Sequence, residues 1–469
     1  MQAESAALRK ELGVRDLLLA QILIVIVPEF FGTAVKAGPS HVVLWLLAIL
    51  LFFIPETFVV GYLNGLMPLE GGLFEWARRA FNDWVGFLAA WNLWLSNTIQ
   101  VAQVALVTNT YVAYAGGEKA AWAATDKRAL LVSSVALIAA MIYVSRVGLR
   151  LGKWVSNTGS FFTILIISLL ALVPFANRAT GSLPAYHPLH LARPALTLFT
   201  LSVFAKMTFG ALSGFDNVAI FAGESPSPAR NFARATFLAA PIIALLYIFG
   251  TSAILAYVPP DAVDIIGPIP QALSRGLGES GWGAIIVPTA ILLLLVNYLS
   301  TYTTFFSMNA RLSMVAGWDH LLPRWFSKLD ERHKTPGNSV LFMGTVAFAA
   351  CLVALFGAGN QEAFAMLQIW TFSFFALAYL AMFAIPVLAA KKLAQRPGIP
   401  LRIASVCGFL VTLCFVLLSV SPIIDVQSHS AYTEKTVAAI LGANGFALLL
   451  YFLNRRKAPG DSPVLSRAE

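Results

Sequence analysis

The sequence predicts an all-α integral membrane protein with about twelve transmembrane helices, the first and the sixth of them broken in mid-membrane. Composition is the first sign: of 469 residues, 58% are apolar or aromatic and only 12% are charged. A soluble domain carries roughly 25% charge, so most of this surface has no reason to face water. The second sign is length, because twelve apolar stretches approach the roughly 20 residues that cross about 30 Å of hydrocarbon. The third is punctuation: proline and glycine interrupt two of these stretches beside carboxylates. Backbone freed in this way is tolerated at membrane depth only where protein or a water-filled cavity satisfies it. Disorder and collagen are excluded by the same apolar mass.

In chain order the spans are 17–35, 42–63, 84–114, 129–146, 154–176, 197–223, 235–258, 282–314, 338–357, 362–390, 402–420 and 435–453. With the N-terminus placed inside, 23 of the 32 Lys and Arg fall in inner segments and 8 in outer loops, Lys206 lying within a span. This bias expects both termini in the cytoplasm and the protein in the plasma (inner) membrane. It also explains the net charge of +9 without nucleic acid, since the richest inner loop holds Arg324, Lys328, Arg332 and Lys334. No small-residue cleavage pattern follows the polar segment Met1 to Asp16, so the first span is expected to be retained. Cys351, Cys407 and Cys414 sit in apolar runs without ligand spacing and read as small packing residues.

The broken spans stand five apart in order, the spacing of corresponding helices in two five-helix halves of opposite topology, with substrate bound between them near the midplane. The expected organisation is therefore a cytoplasmic segment 1–16, a first repeat 17–176, a second inverted repeat 197–390, helices eleven and twelve over 402–453, and a cytoplasmic tail 454–469. In the first span Val27-Pro28-Glu29 and Gly32 make the break; in the sixth, Gly210, Ser213 and Gly214 do so just before Phe215 and Asp216. Half-helix ends offer N–H groups to a carboxylate and carbonyls to an ammonium, which suits a zwitterion or an amine.

Ionisable groups inside a bilayer cost about 2.5–3.5 kcal/mol each on insertion scales and call for a reason. Glu29, Glu56, Lys206 and Asp216 are the candidates for proton coupling or gating, with Glu224 a weaker one. Asp216 leads them. Glu29 has a plain alternative in pairing with Lys36, and Lys206 is expected to be neutralised by a carboxylate. Among the many aromatics, Trp91, Phe209, Phe215 and Trp370 lie at breaks or mid-span polar stretches and are the candidates to enclose a substrate amine. Ser300 and Thr301, with Asn297, Thr303 and Thr304, line the eighth span with oxygens; sodium ligation is the weaker reading and interhelical hydrogen bonding the stronger. No other metal and no cofactor is indicated, and the pair His187 and His190 lacks a third ligand. There is no phosphate loop of an ATP-driven pump and no nucleophile–base arrangement of an enzyme.

Pro68-Leu-Glu-Gly-Gly-Leu-Phe-Glu-Trp-Ala-Arg-Arg-Ala-Phe81, with Gly86-Phe-Leu-Ala-Ala-Trp91 after it, resembles the loop and third-span entry of the amino acid–polyamine–organocation transporter superfamily. So do Arg311, Trp318-Asp-His-Leu-Leu-Pro323 and Lys334-Thr-Pro-Gly-Asn338 at the eighth-span exit. Val35-Lys-Ala-Gly38, Ile54-Pro-Glu56 and Phe215-Asp-Asn-Val-Ala-Ile-Phe-Ala-Gly-Glu224 look like its polyamine uptake branch. The resemblance implies the LeuT-like fold of two inverted five-helix repeats and a proton-coupled importer, and it links Asp216 to gating and proton coupling. Three features depart from it. The superfamily's small glycine-rich turn in the first span is replaced by Val27-Pro-Glu-Phe-Phe31, with Gly32 later. The acidic pair of the polyamine branch reads Gly32-Thr33 here, and a fifth-span lysine of some proton-coupled relatives falls at Thr163. The reading is a secondary active transporter of amino acids or related organic amines, coupled to H+ and working by alternating access, an amino acid ranking above a long polyamine. The alternatives are a polyamine:proton symporter and, from another class, a transporter-like nutrient sensor or channel.

Overall fold

Proline decides where the first helix stops. In the computed structural model, which describes residues 13–67, 72–147, 152–214, 228–278, 281–315, 325, 328 and 335–455, helix α1 (Val14–Val25) ends just before Pro28. Pro28 has no N–H, and its ring clashes with the carbonyl four residues back, so the helical ladder cannot pass it. The chain turns through residues 26–29 and resumes as α2 (Phe30–Val35). Gly32, read from the sequence as part of the break, lies inside α2 instead. A Cβ there would come within 2.9 Å of the Ile265 Cα, so its role is close approach.

The second span, α3 (Gly38–Leu66), is helical throughout, with a π segment at Ile49–Phe53 directly before Pro55. Pro55 cannot donate to Leu51, and widening the ladder to i−5 absorbs that loss. A short amphipathic helix, α4 (Gly72–Ala80), occupies the next connection. The long third stretch is α5 (Asp83–Gln100) and α6 (Val104–Gly116), joined by a 3-10 turn at Val101–Gln103. Then follow α7 (Lys127–Val147), α8 (Gly152–Ala179), the sixth span α9 (Leu198–Leu212) and α10 (Pro228–Leu255).

A helix the sequence had read as loop, α11 (Pro268–Leu277), comes next, and Asp264 fixes its entry. The Asp264 carboxylate accepts from the Ile266 and Gly267 amides at 2.9 and 3.2 Å and from the Tyr114 hydroxyl at 3.0 Å. The chain continues as α12 (Gly283–Val315), α13 (Gly337–Leu355), α14 (Asn360–Leu388), α15 (Ile399–Leu418) and α16 (His429–Arg455). Among the described residues there is no strand, and nine helices are long and apolar enough to cross a membrane. The sixth span reaches only Leu212 before it breaks, so it falls short of that length. α1, α2, α9 and α10 gather at the centre of the bundle, which brings the two interruptions together.

Candidate functional site

One phenol touches both interrupted helices. Tyr247 of α10 accepts from the Val27 N–H at 3.0 Å and donates to the Val25 carbonyl at 2.8 Å, satisfying the groups that Pro28 set free. Its oxygen also lies 3.4 Å from the carbonyl of Ala211, in the last turn of α9. Trp45 stacks on the ring at 4.3 Å and is itself fixed by a 3.1 Å bond from Nε1 to Thr251. Tyr247 is fully buried, and a buried phenol that found no partner would cost free energy, so this packing and this bonding require one another.

The second interruption is built the same way with different parts. α9 ends at Leu212, Ser213 is extended, and Gly214 adopts φ 109°, a conformation that side chains disfavour. The Gly214 N–H donates to the Tyr379 hydroxyl of α14 at 2.8 Å, and that hydroxyl donates to Glu56 Oε1 of α3, also at 2.8 Å. Gly210, expected at the break, sits within α9 and serves as a seat. A Cβ there would fall 1.9 Å from a ring carbon of Phe30, which packs flat on the backbone with the edge of Phe372 at 4.9 Å. That ring contact closes α2 against α9.

Two carboxylates lie buried beside these breaks. Glu56 is held by Tyr379. Glu29 is 3% exposed, yet among the described residues none offers a hydrogen-bond partner to either of its oxygens, so the expected pairing with Lys36 does not form. Tyr111 of α6, Tyr247 of α10 and Tyr298 and Tyr302 of α12 stand close enough to feel its charge. A lone buried carboxylate is costly unless it takes up a proton or meets a cation.

Lys206, expected opposite a carboxylate, gives its ammonium to the backbone carbonyl of Ser421, which Ser202 also reaches at 3.3 Å. It lines a narrow cavity with Phe30, Thr33, Gln368, Phe372 and Tyr432, beyond the Phe30 ring. The helix dipole and a polar carbonyl stand in for the counter-charge that sequence reasoning supplied.

Other expected residues divide clearly. Val27, Pro28, Glu29, Ser213 and Gly214 meet at the two breaks, and the Ser213 hydroxyl is buried without a partner. Trp370 of α14 is buried with an unpartnered indole N–H. Trp91 lies elsewhere: its Nε1 donates to the Ala443 carbonyl at 3.2 Å, and its ring meets Phe446, so it joins α5 to α16 rather than enclosing a substrate. Phe209 packs in an aromatic layer with Phe52, Tyr379 and Phe415. In the eighth span Asn297 donates to Thr163 at 2.8 Å and Thr301 leans on Asn297 at 3.5 Å, so the polar row ties α12 to α8. Ser300 and Thr301 belong to that row. Phe215, Asp216 and Glu224 lie outside the described residues. The sequence reading missed Tyr247 and Tyr379. The available signal was a single tyrosine inside an apolar span, where a phenol needs a partner as surely as a charge does.

Residues 17–445 match the family described as Amino acid permease. The chain is 21% identical over 460 residues to the probable agmatine/putrescine antiporter AguD of Lactococcus lactis, covering 96% of each protein. It is 24% identical over 480 residues to the branched-chain amino acid permease BcaP of Bacillus subtilis, covering 96% of this chain and 94% of that one. Among solved structures, MhsT in complex with L-phenylalanine superposes with a TM-score of 0.58 at 12% identity, over 86% of this chain and 97% of the other. The LeuT-like membrane fold expected from the sequence is the fold found.

Proposed function

From the premise that this chain belongs to the amino acid permease family, we propose that it is a secondary active transporter of organic amines or amino acids, driven by protons through alternating access. One observation carries the reading: a buried, unpartnered Glu29 stands at the break of α1, beside the phenol that joins that break to the end of α9. A carboxylate so placed holds a proton when the site is empty and exchanges it for the substrate's ammonium, which couples the two gradients. The contact of Phe30 with Gly210 is the closed gate on one side of the site. Asp216, two residues beyond Gly214, is a second carrier in this scheme. The two relatives frame the substrate range, one being named for an amine pair and the other for branched-chain amino acids.

The organisation proposed with it is two inverted repeats, 17–176 and 197–390, followed by helices eleven and twelve over 402–453, in a plasma membrane with segments 1–16 and 454–469 cytoplasmic. Single cysteines at 187 and 334 should label from opposite sides, and labelling from one side defeats that topology. The function is tested in proteoliposomes. Uptake of a labelled amine or amino acid that saturates, accumulates under an imposed pH gradient and shows counterflow supports it. Flux that never saturates and ignores the trans solute makes the protein a channel.

A further inference from the structure

We infer that the site at the α1 break selects amines that carry no α-carboxylate over α-amino acids. The inference rests on the transport reading of the same site and names its substrate class.

An α-amino acid brings two charges, and its carboxylate needs N–H donors or a cation. The amides around the first break are already engaged. The Val27 N–H goes to Tyr247 and Pro28 has none; those of Phe30, Phe31 and Gly32 go to the carbonyls of Val27, Pro28 and Glu29. At the second break the Ser213 N–H goes to the Phe209 carbonyl and the Gly214 N–H to Tyr379. Among the described residues, the only amide at the two interruptions not given to another residue is that of Glu29, beside its own negative carboxylate, where a substrate carboxylate meets a like charge. Lys206, the buried cation on α9, is bound to the Ser421 carbonyl in the cavity beyond Phe30.

The acceptor side is the reverse. Both oxygens of Glu29 are free of other described residues at 3% exposure, and Tyr111, Tyr247, Tyr298 and Tyr302 are near enough for its charge to act on their hydroxyls. An ammonium there gains a charge-assisted bond. A substrate carboxylate beside Glu29 meets a like charge with nothing to offset it. The acidic pair missing at Gly32-Thr33 is thus replaced by an acid three residues earlier.

The test uses matched pairs that differ only in the carboxylate: cadaverine against L-lysine, and isopentylamine against L-leucine. Binding to the purified full-length protein is measured by calorimetry, independently of flux. Each amine is expected to bind at least about tenfold more tightly than its amino acid, the scale of one charge-assisted hydrogen bond. Glu29→Gln is expected to erase that order, and Glu29→Asp, which keeps the charge, to preserve it. Amino acids binding as tightly as their amines, an order unchanged in Glu29→Gln, or no binding by either amine overturns the inference. A correct binding order without gradient-driven uptake sinks the transport reading and leaves this one standing.

Discussion

The two interruptions solve one physical problem with opposite electrostatic results. At each, a tyrosine from a continuous helix supplies the hydroxyl that the broken ladder needs: Tyr247 for Val27 and Val25, Tyr379 for Gly214. At the second, the same hydroxyl also binds the buried acid, Glu56. At the first, the buried acid is left without a partner. A carboxylate with one oxygen held by the fold costs less to bury than one with neither oxygen held, and the second keeps its acceptor sites open. On the proposed reading, the difference gives Glu56 a structural task and Glu29 a functional one.

The largest expected effect breaks or upholds that contrast directly. Glu29→Gln should abolish proton-driven accumulation while leaving the melting temperature unchanged, because a neutral amide takes the place of a carboxyl of the same shape that is protonated, and so also neutral, in the empty site. Glu56→Gln still offers Tyr379 a carbonyl acceptor, so it should keep uptake measurable and lower the melting temperature. Uptake and thermal denaturation measured on both variants check the pair, and the reverse assignment of losses ends the comparison. Removing the phenols comes next. Tyr247→Phe leaves the buried Val27 N–H unsatisfied, at a cost of about 1–3 kcal/mol. It should reduce the maximal rate of uptake more than the apparent affinity, since it loosens the break and leaves the Glu29 carboxylate in place.

Much of this arrangement was legible in the sequence, and what was not has a common cause. Pro28 marks its break because a missing N–H acts locally, within one turn of helix. Gly214 likewise marks its own, through a φ of 109°. Gly32 and Gly210 look the same in sequence but act across space, as seats for Ile265 and the Phe30 ring, and nothing local distinguishes a hinge from a seat. Lys206 was expected to seek a carboxylate, but a bend near Ser421, far along the chain, brings a carbonyl to it first. Trp91 fails for a similar reason, since its partners belong to the last helix. Tyr247 and Tyr379 stand in apolar spans, and which broken ladder each hydroxyl meets is set by packing across the bundle rather than by its own sequence neighbours.

Gly210 gives a smaller test, of the gate rather than the charge. An alanine there drives a methyl group to within 1.9 Å of the Phe30 ring, and overpacking of this kind costs about 1–3 kcal/mol. Phe30 can relieve the clash only by leaving its seat, so Gly210→Ala should shift the protein towards the state in which α2 and α9 are parted. A cysteine at Thr33, which lines the cavity on that side, should then react faster with a soluble thiol reagent than in the parent. Equal reactivity would mean that Phe30 is not the gate.

The smallest effect is expected at Trp91, and it separates an aromatic that encloses substrate from one that fills an interface. Its indole N–H reaches the Ala443 carbonyl at 3.2 Å, and the neighbouring Asn92 bonds Asn444 at 2.7 Å, so this face of α5 is committed to α16. Trp91→Phe keeps an apolar ring against Phe87 and Phe446 and gives up one hydrogen bond, worth about 1 kcal/mol. Stability should fall slightly, while the half-saturation concentration for uptake stays as in the parent. A residue that covered the substrate's ammonium would behave differently, because losing the larger ring weakens cation–π attraction and raises that concentration several-fold. A clear loss of affinity in Trp91→Phe at unchanged stability would return this tryptophan to the site and require α16 to move away from α5 during transport.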